Sequence, residues 1–492
     1  MQPSIVGLIV CMVLLVVGYY SRGVLIISFI ASLAFGATAV ATLTSLGGSS
    51  PLIYTFFAAL LLTAVAARPR IWRDLGTAFG SMRPLWVLCC LLLYAIAGAW
   101  LFPRLFAGQT TVFVQAKLRG GVVEAALEPV SANISQAGYF VLGGLTTIGL
   151  SILLLKAQRI NEVRRGFFLW VILHTAMGLM DLLGKLAGMG DVLEPIRTAS
   201  YAMLTNASES GFFRIAGAFS EASGFGASSL TCLAFTYTYW RKTGAALALW
   251  LSVLLFLLLL LSTSSTAYGG LVLLSIPVAI SLLLSIAKGR LNSDELLILG
   301  CLVAIAFAVL AIELYDSRTF DPVVDLIEST VINKGSSSSG QERGYWNIKS
   351  LQSFADTSGL GVGLGSSRAS SWPIAVLSQL GVIGMLSLVT LVVVLARGMG
   401  KLGVWVDPET NAIVSSVRAS ALASLVSGSL VSGSADPGMI FFISLAVVIA
   451  CRTRARHNRA TAARAGISSL PAWRWAPRRS AKGMHGRPVF SG

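Results

Sequence analysis

Long apolar runs restrict what this chain can fold into more than any other feature. The N-terminal MQPSIVGLIVCMVLLVVGYY and the segments near 245–262, 269–287 and 373–395 are free of charged side chains. A run of about 18 or more apolar residues spans the hydrocarbon of a bilayer, where the backbone must satisfy its own polar groups. Helices and closed barrels do that, but barrel strands alternate weakly instead of running solid. A length of 492 residues would suggest about three soluble domains. Against that, hydrophobic residues make up 55% and charged residues 12%, whereas soluble domains carry about 25% charged residues. The expected fold is an all-α polytopic membrane protein, with one domain over 1–451 and a basic, disordered cytoplasmic tail over 452–492.

About thirteen spans fit these runs, roughly 4–20, 24–46, 52–67, 85–102, 137–155, 167–187, 222–239, 245–262, 269–287, 296–314, 373–395, 412–431 and 438–451. The start has neither a basic leader region nor a cleavage site, so the first run reads as an uncleaved span. Alternation then places one set of basic residues on one side. They are Arg68, Arg70, Arg73, Arg83, Lys156, Arg159, Arg164, Arg165, Arg241, Lys242, Lys288, Arg290, Arg397, Lys401 and the arginine-rich tail. Basic residues gather in cytoplasmic links, so the C-terminus is expected inside and the N-terminus outside. Acids lean the other way: Glu124, Glu128, Asp191, Glu194, Glu209, Asp316, Asp321, Asp325, Glu328, Glu342 and Asp356 fall in outer segments. The formal net charge of +16 thus reflects orientation and tail, and no nucleic-acid partner is implied. The tail can touch anionic membrane lipids or serve as a plain topological anchor. All six cysteines lie in or beside apolar runs, so no disulfide is expected, and none has zinc-ligand spacing.

Three outer segments, about 103–136, 188–221 and 315–372, exceed ordinary connections; loops beyond about 12–15 residues are usually functional or disordered. The last begins with the amphipathic IELYDSRTFDPVVDLIEST and passes a Ser/Gly hinge, NKGSSSSGQ. It then sets Tyr345, Ile348, Leu351 and Phe354 near helical spacing. Glycines at 359, 361, 363 and 365 follow, with Arg368, Ser370 and Ser371 next and Arg343 upstream. Such glycines can bring backbone amides to an anion; the plainer alternative is a re-entry turn. In RIAGAFSEAS, Arg214 and Glu221 are seven residues apart, one face of a helix. They read either as a functional pair at a membrane mouth or as an interfacial ion pair. In EPVSANISQAGYF, Asn133 and Gln136 suit sugar hydroxyls, while Ser131 and Asn133 equally suit a helix cap. LLSTSSTAYGG at 260–270 reads as a small-residue packing turn. His174, Asp181 and Lys185 share one face of a span, a functional candidate by default, although Asp181 and Lys185 can simply pair. The outer loops hold no histidine, no Asp-x-Asp and no P-loop, so neither a metal nor a cofactor is expected.

RIAGAFSEAS at 214–223, the LLSTSSTAYGG turn, QERGYW at 341–346 and GVGLGSSRASS at 361–371 leading into LSQLGVIG resemble the O-antigen ligase and polymerase superfamily. Within it the chain is most similar to the bacterial exopolysaccharide repeat-unit polymerases, and the likeness covers about 120–390. The resemblance implies a GT-C-like membrane glycosyltransferase with a large late periplasmic loop, in the bacterial inner membrane. It implies polyprenyl-diphosphate-linked oligosaccharide as donor and acceptor, no metal, and a flippase and a chain-length or export complex as neighbours. Arg343 matches the late-loop arginine thought to hold the diphosphate. The ligase branch often carries a histidine just after the glycine-rich stretch, where this chain has Arg368-Ala-Ser-Ser; that departure favours polymerisation over ligation.

The chemistry points the same way. A diphosphate leaving group needs cations where charge develops, and the guanidinium fork matches phosphate oxygens. Arg214 and Arg343 are the catalytic candidates, with Glu221 to accept the proton of the attacking hydroxyl. Arg368, Gly363, Gly365 and Ser370 are candidates for holding the diphosphate, and Tyr345, Asn133 and Gln136 for the sugars. Trp372 is expected to anchor the loop at the membrane interface. Rival readings are a ligase and a lipid-linked glycan transporter; transporters often show inverted repeats, and no repeat is visible here.

Overall fold

The structure, a computed structural model, describes residues 2–43, 48–115, 122–201, 203–205, 208–209, 212–289, 295–296, 298–300, 303, 307 and 337–464. Expectations for Arg290, Cys301, most of the span near 296–314, the IELYDSRTFDPVVDLIEST segment and the tail beyond 464 lie outside the described residues. The described residues are 74% helical with little sheet. The helices are α1 (Ile5–Tyr20), α2 (Val24–Ala31), α3 (Ile53–Ala66), α4 (Ile71–Ser81), α5 (Pro84–Leu105), α6 (Ser131–Leu154), α7 (Ile160–Leu186), α8 (Ala222–Thr243), α9 (Ala246–Leu261), α10 (Ser265–Ala287), α11 (Ser338–Asp356), α12 (Trp372–Arg397), α13 (Pro408–Val431) and α14 (Met439–Arg464). Six described helices are long and apolar enough to cross a membrane, or seven if α3 and α4, bent by 105°, count as one. Ile5–Tyr20, Val24–Ala34 and Ala246–Leu261 are shorter apolar helices.

Local chemistry explains the boundaries. Ser4 Oγ accepts the Gly7 amide at 3.1 Å and starts α1. Pro84 and Pro408 open α5 and α13, where a missing N–H costs nothing. Gly244, at φ +71°, ends α8 just after Arg241 and Lys242, a left-handed stop with cations in the last turn.

Two expectations need correction. The run over 24–46 is helical only to Ala34. Beyond it Ala37, Thr38 and Ala39 are fully buried but not helical: the Ala37 amide donates to Ala218 O at 2.9 Å, and Ala199 donates to Ala37 O at 3.0 Å. Strand β2 (Ala41–Thr42) then pairs with β1 (Gln2–Pro3). Hydropathy reports burial, and here protein rather than lipid does the burying. The second correction is at the C-terminus, where α14 runs on to Arg464 although the tail was expected to be disordered from 452. Arg452 donates to Gly398 O and Asn458 to Trp405 O, each at 3.0 Å, which holds the extension against the preceding link.

Helices α8 and α13, α6 and α14, and α2 and α7 pack side by side. Between apolar helices in lipid, small residues and interhelical hydrogen bonds carry association. Both are present. A Cβ at Gly143 would lie 2.3 Å from the Phe442 ring. Thr147 Oγ1 donates to Phe442 O (2.9 Å), Ser420 Oγ to Thr231 O (3.0 Å) and Ser444 Oγ to Val417 O (3.1 Å). The small-residue turn before α10 also packs as expected, with Gly226 against Ala267. The described cysteines are free.

The bundle has two chemically distinct ends. At the basic end Arg164 pairs with Glu409 at 2.7 Å, joining the starts of α7 and α13. At the loop end lie a hairpin of β3 (Thr111–Gln115) and β4 (Val122–Ala126), the described residues of 187–221, α11 and the turn 432–438. Ser337 caps α11, accepting from Gly340 at 3.2 Å, so the helix starts inside the stretch expected to be a hinge.

Candidate functional site

A cavity of about 210 Å³ opens at the loop end, lined by Glu221, Glu342, Arg343, Trp346, Arg368, Ala369, Ser370 and Val431. Four independent segments converge there: the residue before α8, the first half of α11, the stretch after the glycines, and the last residue of α13. Neither Arg343 nor Arg368 forms an ion pair among the described residues. Two guanidinium groups thus face one space, bordered by two carboxylates and the Trp346 ring. Of the residues expected from sequence, Glu221, Arg343, Arg368 and Ser370 meet here. Arg214, Gly363, Gly365, Tyr345, Asn133 and Gln136 do not line it.

The glycine-rich stretch builds the wall rather than an amide cradle. Gly361, Gly363 and Gly365 hold φ of +88°, +89° and +78°. Their amides are already engaged: Gly361 donates to Thr357 Oγ1 (3.2 Å), Gly363 to Gln379 O (3.0 Å) and Gly365 to Gln379 Oε1 (3.0 Å). A Cβ at Gly365 would stand 2.4 Å from Ala132 O. Asn133 is the clamp on the other side. It is 5% exposed, its Nδ2 donates to Leu364 O and Ser366 Oγ, both at 2.7 Å, and its Oδ1 accepts the Val130 amide at 2.8 Å. The capping alternative describes it better than a sugar contact does. Gln136 accepts from Ser434 Oγ at 3.3 Å.

Arg368 leaves this wall exposed, with its amide on Phe113 O at 3.1 Å. It lies across Gly433, where a Cβ would come 2.6 Å from Arg368 Cγ. The Ser370 amide is held by Asn347 Oδ1 at 2.8 Å, which ties the stretch to α11. Trp372 is not an interfacial anchor: it is 8% exposed, and its Nε1 donates to Ala435 O at 3.1 Å. Its indole fastens the start of α12 to the turn behind Arg368.

The segment carrying Arg214 and Glu221 is not helical; α8 begins at Ala222. The one-face argument therefore fails. Instead the segment is wrapped on buried charges. Asp181 Oδ2 accepts the Ala216 and Gly217 amides (2.7 and 3.0 Å) and pairs with Lys185 at 3.1 Å. Lys185 also donates to Thr205 O (3.0 Å) and Arg214 O (2.6 Å). Arg197 joins Asp191 and Gly217 O. Burial pushes the Asp191 carboxyl up, but Arg197 and Thr205 outweigh it and hold it below its ordinary value. Asp181 and Lys185 thus do pair. His174, 1% exposed, bonds Ser229 Oγ at 2.8 Å and stacks on Phe225, a satisfied interior histidine. Glu221 accepts from Ser223 Oγ at 2.6 Å.

Tyr345 turns away from the cavity, its hydroxyl donating to Glu124 Oε2 at 2.8 Å. Hydrogen bonds from Thr111, then Tyr345 and Lys349, hold the Glu124 carboxyl below its ordinary range. Phe113 meets both Tyr345 and Trp346, so the β3–β4 hairpin positions α11. Sequence reasoning missed Glu342 as a cavity wall and missed the turn 432–438 altogether. The signal was present in SGSADPG, a Gly/Ser/Pro turn between two apolar runs that must lie beside the other loops. Asp436 in that turn is half-buried, and burial raises its carboxyl to about 6. No three His, Cys, Asp or Glu side chains converge among the described residues to hold a metal ion. No protein-family model matches the chain, and no curated protein matches it.

Proposed function

We propose that this chain is a polysaccharide polymerase. It would join polyprenyl-diphosphate-linked oligosaccharide repeats at the periplasmic face of a bacterial inner membrane. On this reading the chain would have about thirteen spans in a GT-C-like arrangement, with the loop end and N-terminus outside and the C-terminus inside. The observation that supports it most is the pair of unpaired arginines, Arg343 and Arg368, sharing one cavity with a carboxylate on each side. In the reaction an acceptor hydroxyl oxygen bonds the donor's anomeric carbon while the bond from that carbon to the diphosphate oxygen breaks. Charge grows on the departing diphosphate, and the two guanidinium forks meet it there. The hydroxyl proton passes to Glu221, whose carboxylate is steadied by Ser223. Trp346 offers its ring to a sugar face. Arg214, held through its carbonyl by Lys185, shapes the loop before Glu221.

Arg343→Ala should cut polymer formation by about 10²–10³-fold, the usual loss when one donor to a developing anion is removed. Lipid-linked single repeats would accumulate, and Arg343→Lys would restore part of the activity. A well-folded Arg343→Ala protein that makes normal polymer from purified lipid-linked repeats would overturn the assignment. A single glycan moved to a foreign acceptor would indicate ligation instead.

A further inference from the structure

A second cavity, of about 640 Å³, lies at the basic end, far along the chain's fold from the arginine pair. Its walls are the last turn of α1 (Tyr19, Tyr20), the turn Arg22–Gly23, the start of α2 and the start of α7 (Arg159, Glu162). That volume suits a small-molecule site, roughly 300–1,000 Å³, and glycosyl transfer at the other end makes no use of it.

Three charges border this space: Arg22, Arg159 and Glu162. None forms a salt bridge or side-chain hydrogen bond among the described residues, although Arg159 and Arg165 are within electrostatic reach of Glu162. Arg159 and Glu162 are three residues apart, a spacing at which charged pairs on a helix normally meet. Arg165 is occupied elsewhere, donating to Ser21 O at 3.3 Å. Arg22 sits at φ +54°, a left-handed conformation that its neighbour Gly23 would adopt without strain. Gly23 is needed where it is, since a Cβ there would stand 2.6 Å from Ile27 and 3.3 Å from Glu162.

The height of the cavity is also marked. Tyr19 and Tyr20 are 72% and 80% exposed, and Trp72 and Trp86 of the same end are exposed too. Exposed tyrosine and tryptophan belts lie at the lipid headgroup level.

We propose that this cavity binds the headgroup of a zwitterionic phospholipid bearing a primary amine, an aminoethyl phosphate. The phosphate lies between Arg22 and Arg159, and the ammonium donates to Glu162 beside the tyrosine rings. A purely anionic headgroup would leave Glu162 facing like charge. A quaternary ammonium has no N–H to give it.

The test uses the full chain purified in detergent, offered dioleoyl phosphatidylethanolamine, phosphatidylglycerol and phosphatidylcholine in competition, with bound lipid counted by native mass spectrometry. Phosphatidylethanolamine should be retained about tenfold over either rival, the worth of one charge-assisted hydrogen bond. Glu162→Gln, near in shape and safe for folding, should erase that preference, and Arg159→Ala should lower retention of all three lipids. Equal retention of the three by the unaltered chain, or a preference that survives Glu162→Gln, overturns the proposal. Free O-phosphoethanolamine that displaces the lipid at equal concentration would reassign the cavity to a soluble ligand and overturn the lipid assignment.

Discussion

Two groups of charged residues sit at the loop end, and they are built in opposite ways. Around Asp181 the charges meet inside protein. Its Oδ2 accepts two amides and the Lys185 ammonium, its Oδ1 lies 3.6 Å from Arg197, and Arg197 reaches Asp191. Around Arg343 and Arg368 the charges border open space. Residue type does not separate the two groups, and neither does nearness to the membrane mouth. Pairing does. A charge whose hydrogen bonds end on backbone and counter-ion is fastening a loop; one that faces a cavity has capacity left for a ligand.

The widest gap between the groups should appear in stability. Asp181→Ala leaves Lys185 buried without its carboxylate, while Arg197 keeps Asp191, and breaking such a buried pair costs about 3–5 kcal/mol. The variant should unfold at markedly lower temperature in detergent, and Asp181→Asn should recover part of the loss. Arg343→Ala removes an unpaired cavity group and should change stability by no more than about 0.5 kcal/mol. Equal loss of stability in the two variants, read by thermal unfolding on size-exclusion, would break the comparison.

A smaller effect tests the glycine-rich wall that leads to Arg368. Gly365→Ala forces a left-handed φ of +78° on a residue with a Cβ and drives that Cβ to within 2.4 Å of Ala132 O. The expected destabilisation is about 1–3 kcal/mol. Activity should fall only as far as folded protein falls, because the Gly365 amide is engaged by Gln379. A variant that folds normally but no longer holds diphosphate would return this amide to the binding role that its sequence suggested.

Much of the site was legible in the sequence because it rests on residue chemistry. Arginines on either side of a glycine run, in a loop on the acidic side, marked Arg343 and Arg368. The periodicity at Tyr345, Ile348 and Leu351 marked α11 (Ser338–Asp356). What stayed hidden depends on long-range partners. The spacing of Arg214 and Glu221 suggested a helix face, but Asp181, far upstream, pulls the segment out of helical form through the Ala216 and Gly217 amides. The glycine amides looked free for an anion, but Gln379, on α12, accepts two of them, Gly363 on its backbone oxygen and Gly365 on its Oε1. The run after Ala34 looked like a span because its alanines are buried, and the bonds of Ala37 to Ala218 and Ala199, with the strand pairing of Ala41 and Pro3, show that protein covers them.

Asp436, in the turn 432–438 of the same end, sharpens the comparison at its smallest scale through its pH response. Its Oδ1 accepts the Gly438 amide, at 2.8 Å, and burial raises its carboxyl from 3.8 to about 6. A raised acid is protonated more readily in the folded chain than in the unfolded one. Stability contributed by this group is therefore highest below pH 3.8, declines as pH rises toward about 6, and is lowest above that. Asp436→Asn keeps an acceptor for Gly438 and removes the ionisation. The variant should be more stable than the unaltered chain at pH 8, with the advantage shrinking as pH falls through about 6. Thermal unfolding in detergent from pH 4 to 8 reads this directly. An advantage that does not vary with pH would place Asp436 with the paired charges around Asp181, and a loss at pH 8 would mean that its ionised form has a cation partner.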